Sequence, residues 1–286
     1  MNPNIRLLSL ACERLGLTYE HLHSTENILR IVGPTRNWLF VNWKAPLNDN
    51  TLSEICRDKD YFYTLTHAAI KQPQTESYFH PLGPERFAKY RAFASFEAIA
   101  DDVLAKFALP VMIKRNRGSG GLNVFRCHDR EGIIKALGKI FDGASKDFDY
   151  IALAQSTIEI AHEYRAVFLD GQLILLYEKN IDQALFEGNL SPLHWNGGKA
   201  VVIDDQALHT TISNFAASLF DVLPLRWTGL DIAQDRNGEW WLIEANASPG
   251  FEYIARDAGD DVIVAVYCKV LATLGITSPK LVGAEA

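Results

Sequence analysis

The 286-residue sequence predicts an α+β fold, and three features support this prediction. Helical patterns, with apolar residues three or four positions apart, recur along the chain. Short apolar runs typical of strands lie between them. Two pairs of these runs enclose Asp170-Gly171 and Asn237-Gly238, dipeptides that favour tight β-hairpins. Helices mixed with antiparallel hairpins indicate an α+β chain of several lobes.

The first 57 residues predict a small N-terminal lobe. Residues 5–16 have helical spacing that ends at Gly16, and apolar runs follow at residues 19–22, 28–32 and 38–42. Because a glycine commonly ends a helix and the runs are short, we expect one helix and about three strands.

The remaining chain alternates helices and strands. Helical spacing is found at residues 58–70, 95–107, 129–141, 205–220 and 262–274. Ser95 can serve as the N-cap of the second of these helices. Strand-like runs are found at residues 111–114, 122–126, 151–155, 164–169, 172–177, 229–233 and 240–245.

Composition narrows the functional classes. A net charge of −7 and an isoelectric point near 5.6 make a nucleic-acid backbone an improbable partner. The four cysteines are scattered without a Cys-x-x-Cys pair, which argues against a zinc site or a disulfide framework. No apolar run approaches the length of a membrane helix, so we expect a soluble, cytoplasmic protein.

Oxygen-bearing side chains cluster near the C-terminus. Asp231 lies in one strand of the second predicted hairpin, and Glu244 and Asn246 lie in the other. Because side chains alternate along a strand, Glu244 and Asn246 share a face, and the hairpin brings Asp231 beside them. Two carboxylates and an amide oxygen suit Mg²⁺. A metal site therefore explains this segment better than a solvated polar face does.

A second set of residues predicts phosphate binding. Lys114 ends an apolar strand directly before a loop that contains Gly118, Gly120 and Gly121. A lysine with a buried stem favours an anion at its tip, and glycines let backbone N–H groups approach phosphate oxygens. The glycines alone would equally fit a hairpin turn, so the preceding lysine carries this prediction.

The segment from Asp231 to Glu244-Ala-Asn246-Ala-Ser-Pro-Gly250 resembles the metal-binding strands of ATP-grasp ligases, in particular the RimK-type and cyanophycin-synthetase branches. Further motifs follow the order of that family, among them Asp58-Lys59, Lys114 with its glycine loop, and Glu163-Tyr-Arg165. The resemblance covers about residues 58–255 and is loose before them. It implies an ATP-grasp fold, in which two lobes grip ATP.

The resemblance also implies roles for individual residues. Asp231, Glu244 and Asn246 would bind two Mg²⁺ ions, with Mn²⁺ as a substitute. Arg165 and Lys114 would act on the transferred phosphoryl group. The residues implied to bind ATP are Lys59, Lys114, Gly118, Ser119, Gly120, Gly121, Gln155, Ser156, Thr157, Ile158, Glu163 and Lys179. Among them, the backbone of residues 155–158, the hinge, would contact the edge of adenine, and Glu163 would bind the ribose hydroxyls.

The division into lobes follows from the same resemblance. Residues 1–57 would form a short lobe that precedes the ATP-grasp region, residues 58–153 a central lobe with a glycine-rich lid, and residues 154–286 a C-terminal lobe with the metal site. The N-terminal lobe is shorter than is usual in the family, which affects any inference about the acceptor substrate.

The implied activity is carboxylate–amine ligation through an acyl phosphate, on an amino acid, a peptide or another small carboxylate. Three alternatives stay open on the same fold: an ester-forming enzyme, a kinase, and a nucleotide-binding module without turnover. The expected partners are small molecules or peptides rather than nucleic acid or membrane, and a homo-oligomer is compatible with the resemblance.

Overall fold

A computed structural model describes residues 1–118, 120–185 and 191–276. Its strands form three antiparallel sheets, of three, four and five strands, with helices packed against them. This architecture confirms the α+β prediction. Ser119, one of the residues implied to bind ATP, and Asn189 both lie outside the described residues.

The N-terminal region has more helix than its sequence predicts. Helix α1 (Pro3–Leu15) begins at Asn2, whose side chain accepts from the Asn4 N–H, and ends at Gly16 in the left-handed conformation. Strands β1 (Tyr19–His21), β2 (Ile28–Val32) and β3 (Asn37–Val41) form the three-stranded sheet. Helix α2 (Asn50–Arg57) was not expected, so the prediction of one helix is wrong.

Asp58 separates two consecutive helices. It ends α2 and also caps α3 (Lys59–Thr66), because its side chain accepts from the Tyr61 N–H. The helix predicted over residues 58–70 corresponds to α3 alone, which ends at Thr66 rather than at Ile70. The shared cap places Lys59 at the start of α3.

The four-stranded sheet has the strand order β4-β7-β5-β6. Its strands are β4 (Thr75–Phe79), β5 (Val111–Arg115), β6 (Val124–Cys127) and β7 (Ile151–Ser156). Two helices pack on it, α4 (Phe96–Lys106) and α5 (Arg130–Ile140). The predicted cap of α4 is confirmed, since the Ser95 hydroxyl accepts from the Ala98 N–H at 3.2 Å.

The five-stranded sheet has the strand order β10-β9-β8-β11-β12. Its strands are β8 (Ile160–Leu169), β9 (Gln172–Asn180), β10 (Lys199–Val202), β11 (Trp227–Asp235) and β12 (Trp240–Asn246). The helices of this region are α6 (Gln206–Val222), α7 (Glu252–Ala258) and α8 (Asp260–Thr273). Both predicted hairpins are present, and Asp170 and Gly171 have the positive φ values that such a turn requires.

Packing joins the two ends of the described chain. Leu8 of α1, Ile31 of β2 and Val270 of α8 belong to one buried cluster, which also covers one face of the five-stranded sheet. The N-terminal region therefore packs on the C-terminal one, and the predicted lobe limits stay a prediction. Within the described ranges, none of the helices has both the length and the apolar character needed to cross a membrane.

Candidate active site

A cavity of about 630 Å³ lies between the four-stranded and five-stranded sheets. One wall comes from β5, β6, β7 and the glycine loop, and the opposite wall comes from β8, β9, β11 and β12. The first residues of α1 and the segments 191–194 and 248–253 also line the cavity, and His194 lies beside the glycine loop, with its Nε2 3.7 Å from where a Cβ atom of Gly120 would be. All the sequence-predicted site residues that the structure describes line this cavity.

Lys114 is a buried cation without a carboxylate partner among the described residues. It lies near the end of β5, its residue is 8% exposed, and its Nζ donates to Gln155 Oε1 at 2.8 Å. Burial lowers the pKa of Lys114 to about 8; the charge of Lys59 acts in the same direction, and Glu244 opposes it. An anion in the cavity would relieve this penalty.

The side chain of Gln155 is fixed by its neighbours. Its Nε2 donates to Thr75 Oγ1 at 2.8 Å, and this hydroxyl donates to the Pro73 carbonyl at 2.9 Å. These bonds turn the Gln155 carbonyl oxygen toward Lys114. The amide of Gln155 is thus a partner of the lysine, a role that the sequence did not suggest.

The hinge, residues 155–158, has fewer backbone groups free to contact adenine than expected. Gln155 pairs with both β4 and β5, and the Ser156 N–H already donates to the Gln74 carbonyl at 2.9 Å. The next two residues, Thr157 and Ile158, lie beyond the strand and line the cavity. Of the four predicted adenine-reading residues, these two are the better placed to present backbone groups to a base.

Lys59 joins the two walls. Its Nζ lies 3.1 Å from Glu244 Oε1 on β12 and donates to the Gly118 carbonyl at 2.7 Å. The glycine loop is therefore tied to the opposite sheet through one ammonium group. The backbone of this loop is left-handed at Gly120 and Gly121, which favours glycine at both positions.

The opposite wall carries a closed cluster of charges. The Arg165 guanidinium donates to Asp231 in bidentate fashion, with Nε–Oδ1 at 2.7 Å and Nη2–Oδ2 at 3.0 Å. Lys179 Nζ lies 2.7 Å from Asp231 Oδ1 and 2.5 Å from Glu163 Oε1. Two cations and two carboxylates thus satisfy one another in a buried setting.

The pKa shifts follow from this pairing. Burial acts to lower the pKa of Lys179, but Asp231 and Glu163 outweigh it and raise that pKa. Burial acts to raise the pKa of Asp231, but Arg165 and Lys179 outweigh it and lower that pKa. Glu163, the predicted ribose ligand, is held by Lys179 in this arrangement.

Gly229 makes room for Arg165, a role that the sequence did not reveal. A Cβ atom at this position would lie 3.1 Å from both Cδ and Nη1 of Arg165 and 3.0 Å from Cβ of Pro249. The guanidinium therefore lies across β11 only because this strand has no side chain there. The sequence did contain one indication of this role, because Gly229 precedes Asp231 by two residues and so lies on the same face of the strand.

The predicted metal ligands lie side by side. Asp231 pairs with Glu244 across β11 and β12, and a register shift follows, because Ile232 pairs with Leu242. The shift leaves Ile243 without an opposite residue, so Ile243 and Glu244 both line the cavity, with Asn246 farther along β12.

This donor set fits a hard divalent cation. Its oxygens come from two carboxylates and one amide, and phosphate oxygens and water would complete the coordination. In the described parts of the chain, no group of three or more His, Cys, Asp or Glu side chains is placed to hold a metal. The carboxylates are balanced here by Arg165, Lys179 and Lys59, so a bound metal would replace part of that compensation.

Several cavity residues are not among those that the sequence implied to bind ATP or metal. Met112 precedes Lys114 by two positions on β5 and faces the cavity with it, so strand alternation could have identified it. Trp43, His194 and Tyr253 come from distant segments, and no local pattern connects them. Only folding brings these three side chains to the same cavity.

Comparison with known proteins agrees with this geometry. The RimK-like ATP-grasp domain family matches residues 81–270. The D-alanine–D-alanine ligase of Haemophilus ducreyi is 24% identical over 183 residues, which are 64% of this chain and 55% of that protein. The chain therefore spans about half the length of the curated relatives it matches.

Solved structures share the fold. A D-alanine–D-alanine ligase from Bacillus anthracis superposes with a TM-score of 0.56 and 18% identity over 84% of this chain and 73% of that one. A bifunctional glutathione synthetase from Pasteurella multocida gives a TM-score of 0.55 and 15% identity over 94% and 44% of the two chains. With the family match over most of its length, and with the predicted fold confirmed, this chain belongs to the RimK-like ATP-grasp family.

Proposed function

We propose that this protein is an ATP-dependent carboxylate–amine ligase that works through an acyl phosphate. One observation carries the proposal: the buried ammonium of Lys114, which has no carboxylate partner among the described residues, faces a cavity whose other wall bears Asp231, Glu244 and Asn246. A triphosphate would supply the negative charge that Lys114 lacks. Its metal would take over part of the compensation that Arg165, Lys179 and Lys59 now give to Asp231 and Glu244.

The nucleotide would lie along the cavity from the hinge to the charged residues. Thr157 and Ile158 would present backbone groups to the adenine edge, and Met112 and Ile243, one on each wall, would contact its faces. Glu163 would accept from the ribose hydroxyls, since its second carboxylate oxygen is not used by Lys179. The phosphates would then reach Lys59, Lys114 and the glycine loop.

Asp231, Glu244 and Asn246 would hold the metal, proposed as two Mg²⁺ ions that Mn²⁺ can replace. A bound divalent ion supplies charge neutralisation at the phosphate oxygens. Arg165 and Lys179 would then exchange part of their contact with Asp231 for contact with the γ-phosphate. Both cations already face the cavity, so this exchange needs side-chain movement only.

The reaction has two balanced steps. An oxygen of the substrate carboxylate attacks the γ-phosphorus, the bond to the β-phosphate oxygen breaks, and ADP leaves. The amine nitrogen then attacks the carbonyl carbon, the bond to the phosphate oxygen breaks, and phosphate and one proton leave. Lys114 and Arg165 stabilise the negative charge on the transferred group, and no side-chain nucleophile is needed.

The substrate class follows from the relatives only in outline. The curated relatives are named as ligases of D-alanine, which makes a small amino acid or peptide the first class to test. The acceptor determines whether the product is an amide, an ester or a phosphate, so the same assay has to distinguish the ligase from its alternatives.

Hydroxylamine trapping tests the proposal without knowledge of the amine. The protein is incubated with ATP, Mg²⁺, hydroxylamine and a panel of amino acids and dipeptides. An acyl phosphate yields a hydroxamate, detected by its iron complex and by mass spectrometry, together with one ADP per product. ADP release without hydroxamate, accompanied by a phosphorylated hydroxyl compound, would identify a kinase instead.

The variant Glu244→Gln serves as the control, because it keeps the shape of the side chain and removes its charge. We expect this variant to lose metal-dependent nucleotide binding. Turnover equal to that of the wild type would show that the metal assignment is wrong.

A further inference from the structure

One end of the cavity, where His194 lies beside the glycine loop, differs in chemistry from the rest. We call it the aromatic end and define it by Trp43, His194, Phe251, Glu252 and Tyr253, all of which line the cavity. None of these residues is among those that the sequence implied to bind ATP or metal. The end is formed by the N-terminal lobe, the segment before β10, and the start of α7.

Aromatic surface dominates this end. Trp43 is 49% exposed and makes no ring contact with another aromatic side chain in the described residues. Phe251 is fully buried beneath the cavity. Tyr253 and His194 are held together, with ring centroids 5.2 Å apart and the hydroxyl 3.0 Å from Nδ1. Trp43 and Tyr253 thus offer aromatic surface to a ligand, and the Arg256 guanidinium lies 5.1 Å from the Tyr253 ring centroid.

Charge is distributed unequally along the cavity. The cations that line it lie on α3 and the strands of the two larger sheets: Lys59, Lys114, Arg115, Arg126, Arg165 and Lys179. At the aromatic end, the charged side chain that lines the cavity is Glu252.

Glu252 has no direct partner among the described residues, and its charge interacts with Arg256 only through space. Its carboxylate makes no hydrogen bond or ion pair with any described residue. The nearby guanidinium of Arg256 is already committed, since it donates to Asp257 at 2.6 Å and to the Gly198 carbonyl at 3.0 Å. A ligand with an ammonium group therefore finds an unpaired carboxylate, whereas a ligand carboxylate finds no free cation among the described residues of this end.

We propose that the aromatic end selects the amine substrate, and that this substrate is a cationic primary amine with an aromatic or large apolar group and no acidic group. This inference rests on the proposed function and adds the substrate class. The ring packs against Trp43 and Tyr253, and the ammonium group is attracted by Glu252. Loss of its proton to solvent gives the neutral amine that attacks the acyl phosphate.

Calorimetry on the whole protein saturated with Mg²⁺ and a non-hydrolysable ATP analogue tests this inference. The probes are L-phenylalaninamide, glycinamide and L-glutamate. We expect L-phenylalaninamide to bind about tenfold more tightly than glycinamide, because only the former has a ring to bury. L-Glutamate should bind most weakly, because its carboxylates face Glu252.

Two variants separate the contribution of ring contact with Trp43 from that of attraction by Glu252. Trp43→Ala should weaken L-phenylalaninamide about three- to tenfold and leave glycinamide unchanged. Glu252→Gln should weaken both cationic probes about two- to fivefold, a small effect because this carboxylate is exposed. The matched controls are Tyr61→Ala, an exposed aromatic residue outside the cavity, and Glu131→Gln, which like Glu252 lies in the first turn of a helix. Neither control should change any probe.

The possible results distinguish this inference from the proposed function. L-Glutamate binding as tight as that of L-phenylalaninamide, or no effect of both cavity variants, would overturn the amine assignment. If hydroxamate still forms under those conditions, the ligase proposal stands and the aromatic end has been misassigned. Absence of metal-dependent nucleotide binding would instead overturn the proposed function itself.

Discussion

Lys114 and Lys179 are both buried lysines that face one cavity, but they lie on opposite walls and have opposite partners. Lys114 has only the amide oxygen of Gln155 at 2.8 Å as a hydrogen-bond partner among the described residues. Lys179 contacts two carboxylates, Asp231 at 2.7 Å and Glu163 at 2.5 Å. Burial lowers the pKa of Lys114 to about 8, whereas the two carboxylates raise the pKa of Lys179 against the effect of burial.

The difference between the two lysines indicates two ways in which a buried cation can be held ready to bind a phosphate. The first wall keeps a charge uncompensated, so an arriving anion relieves a penalty that already exists. The second wall compensates its charges internally, so an arriving anion and metal must exchange partners with Asp231. The first arrangement favours binding, and the second favours correct placement of Arg165. Each of the following predictions tests one side of this contrast.

The largest expected effect is on the free energy of unfolding. It concerns the second wall, where Asp231 pairs with Arg165 and Lys179, which we call the paired wall. Asp231→Asn keeps the shape of the side chain but leaves Arg165 and Lys179 with Glu163 as the remaining carboxylate of the cluster. Removing one partner of a buried ion pair leaves an uncompensated charge, so the free energy of unfolding should fall by about 3–5 kcal/mol. Urea denaturation followed by circular dichroism measures it.

An exposed pair provides the control for that change. Arg226 donates to Asp170 in the same bidentate geometry, with Nε–Oδ1 at 2.7 Å, but both side chains are largely exposed. Asp170→Asn should therefore cost less than about 1 kcal/mol. Equal losses for Asp170→Asn and Asp231→Asn would show that the buried cluster has no special role in stability.

The first wall, which we call the unpaired wall because Lys114 has no carboxylate partner among the described residues, should respond differently to the loss of its charge. Lys114→Met removes a buried charge that has no carboxylate partner among the described residues, so the free energy of unfolding should change by less than about 1 kcal/mol or rise. Nucleotide affinity should fall about 10- to 100-fold, because a charge-assisted hydrogen bond to phosphate is lost. Titration with a fluorescent ATP analogue measures this affinity.

Lys179→Met is the matched variant on the other wall. It leaves Glu163 buried without its cation, so this variant should lose stability as well as affinity. If Lys114→Met were destabilised as much as Lys179→Met, the contrast between a free and a paired lysine would be wrong.

Local signals explain which parts of this contrast the sequence could predict. The turns at Asp170-Gly171 and Asn237-Gly238 are set by adjacent residues, and period-two alternation placed Glu244 and Asn246 on one strand. Lys114 was identified because it ends an apolar strand before glycines. Each of these predictions depends on residues that are close in sequence.

Partners that are distant in sequence could not be predicted in the same way. Strands β4 and β10 lie at sheet edges and have mixed sequences, so pairing with β7 and β9 decides that they are strands. The different surroundings of Lys114 and Lys179, an amide beside one and two carboxylates beside the other, depend on strand order. The register shift that brings Ile243 into the cavity likewise has no local sign in the sequence.

Gly229 permits a sharper test of the paired wall. Gly229→Ala would place a methyl group 3.1 Å from the Arg165 side chain and 3.0 Å from Pro249, and so displace the guanidinium. We expect the free energy of unfolding to fall by about 1–3 kcal/mol from overpacking. Hydroxamate formation should fall more strongly than nucleotide affinity, because Arg165 acts on the transferred phosphoryl group in the proposed reaction.

Another glycine controls for the added methyl group. Gly138 lies inside α5, and a Cβ atom there would meet nothing within 4 Å beyond the backbone of its own helix, so Gly138→Ala should stabilise the protein by about 0.5–1 kcal/mol. Turnover by this variant should match that of the wild type. Unchanged turnover in Gly229→Ala as well would mean that the position of Arg165 does not limit the reaction.

The smallest expected effect is a dependence on pH, and it belongs to the unpaired wall. The pKa of Lys114 is lowered from 10.5 to about 8, so above pH 8 the folded protein loses this proton while the unfolded chain keeps it. The unfolded state then binds more protons, and the contribution of Lys114 to the free energy of unfolding rises between about pH 8 and 10.5. Nucleotide affinity should change in the opposite direction and fall as the pH rises, because a neutral amine attracts phosphate weakly.

Affinity for the ATP analogue should therefore fall about tenfold between pH 7 and pH 9, with a midpoint near the lowered pKa of Lys114. Lys114→Met should remove this dependence, because it removes the group that titrates. Lys179→Met should retain it, since the pKa of Lys179 is raised and its charge persists over this range. If wild type and Lys114→Met had the same pH profile, another group would be responsible for the titration. Lys114 would then stay charged over this range, and the contrast between its lowered pKa and the raised pKa of Lys179 would be wrong.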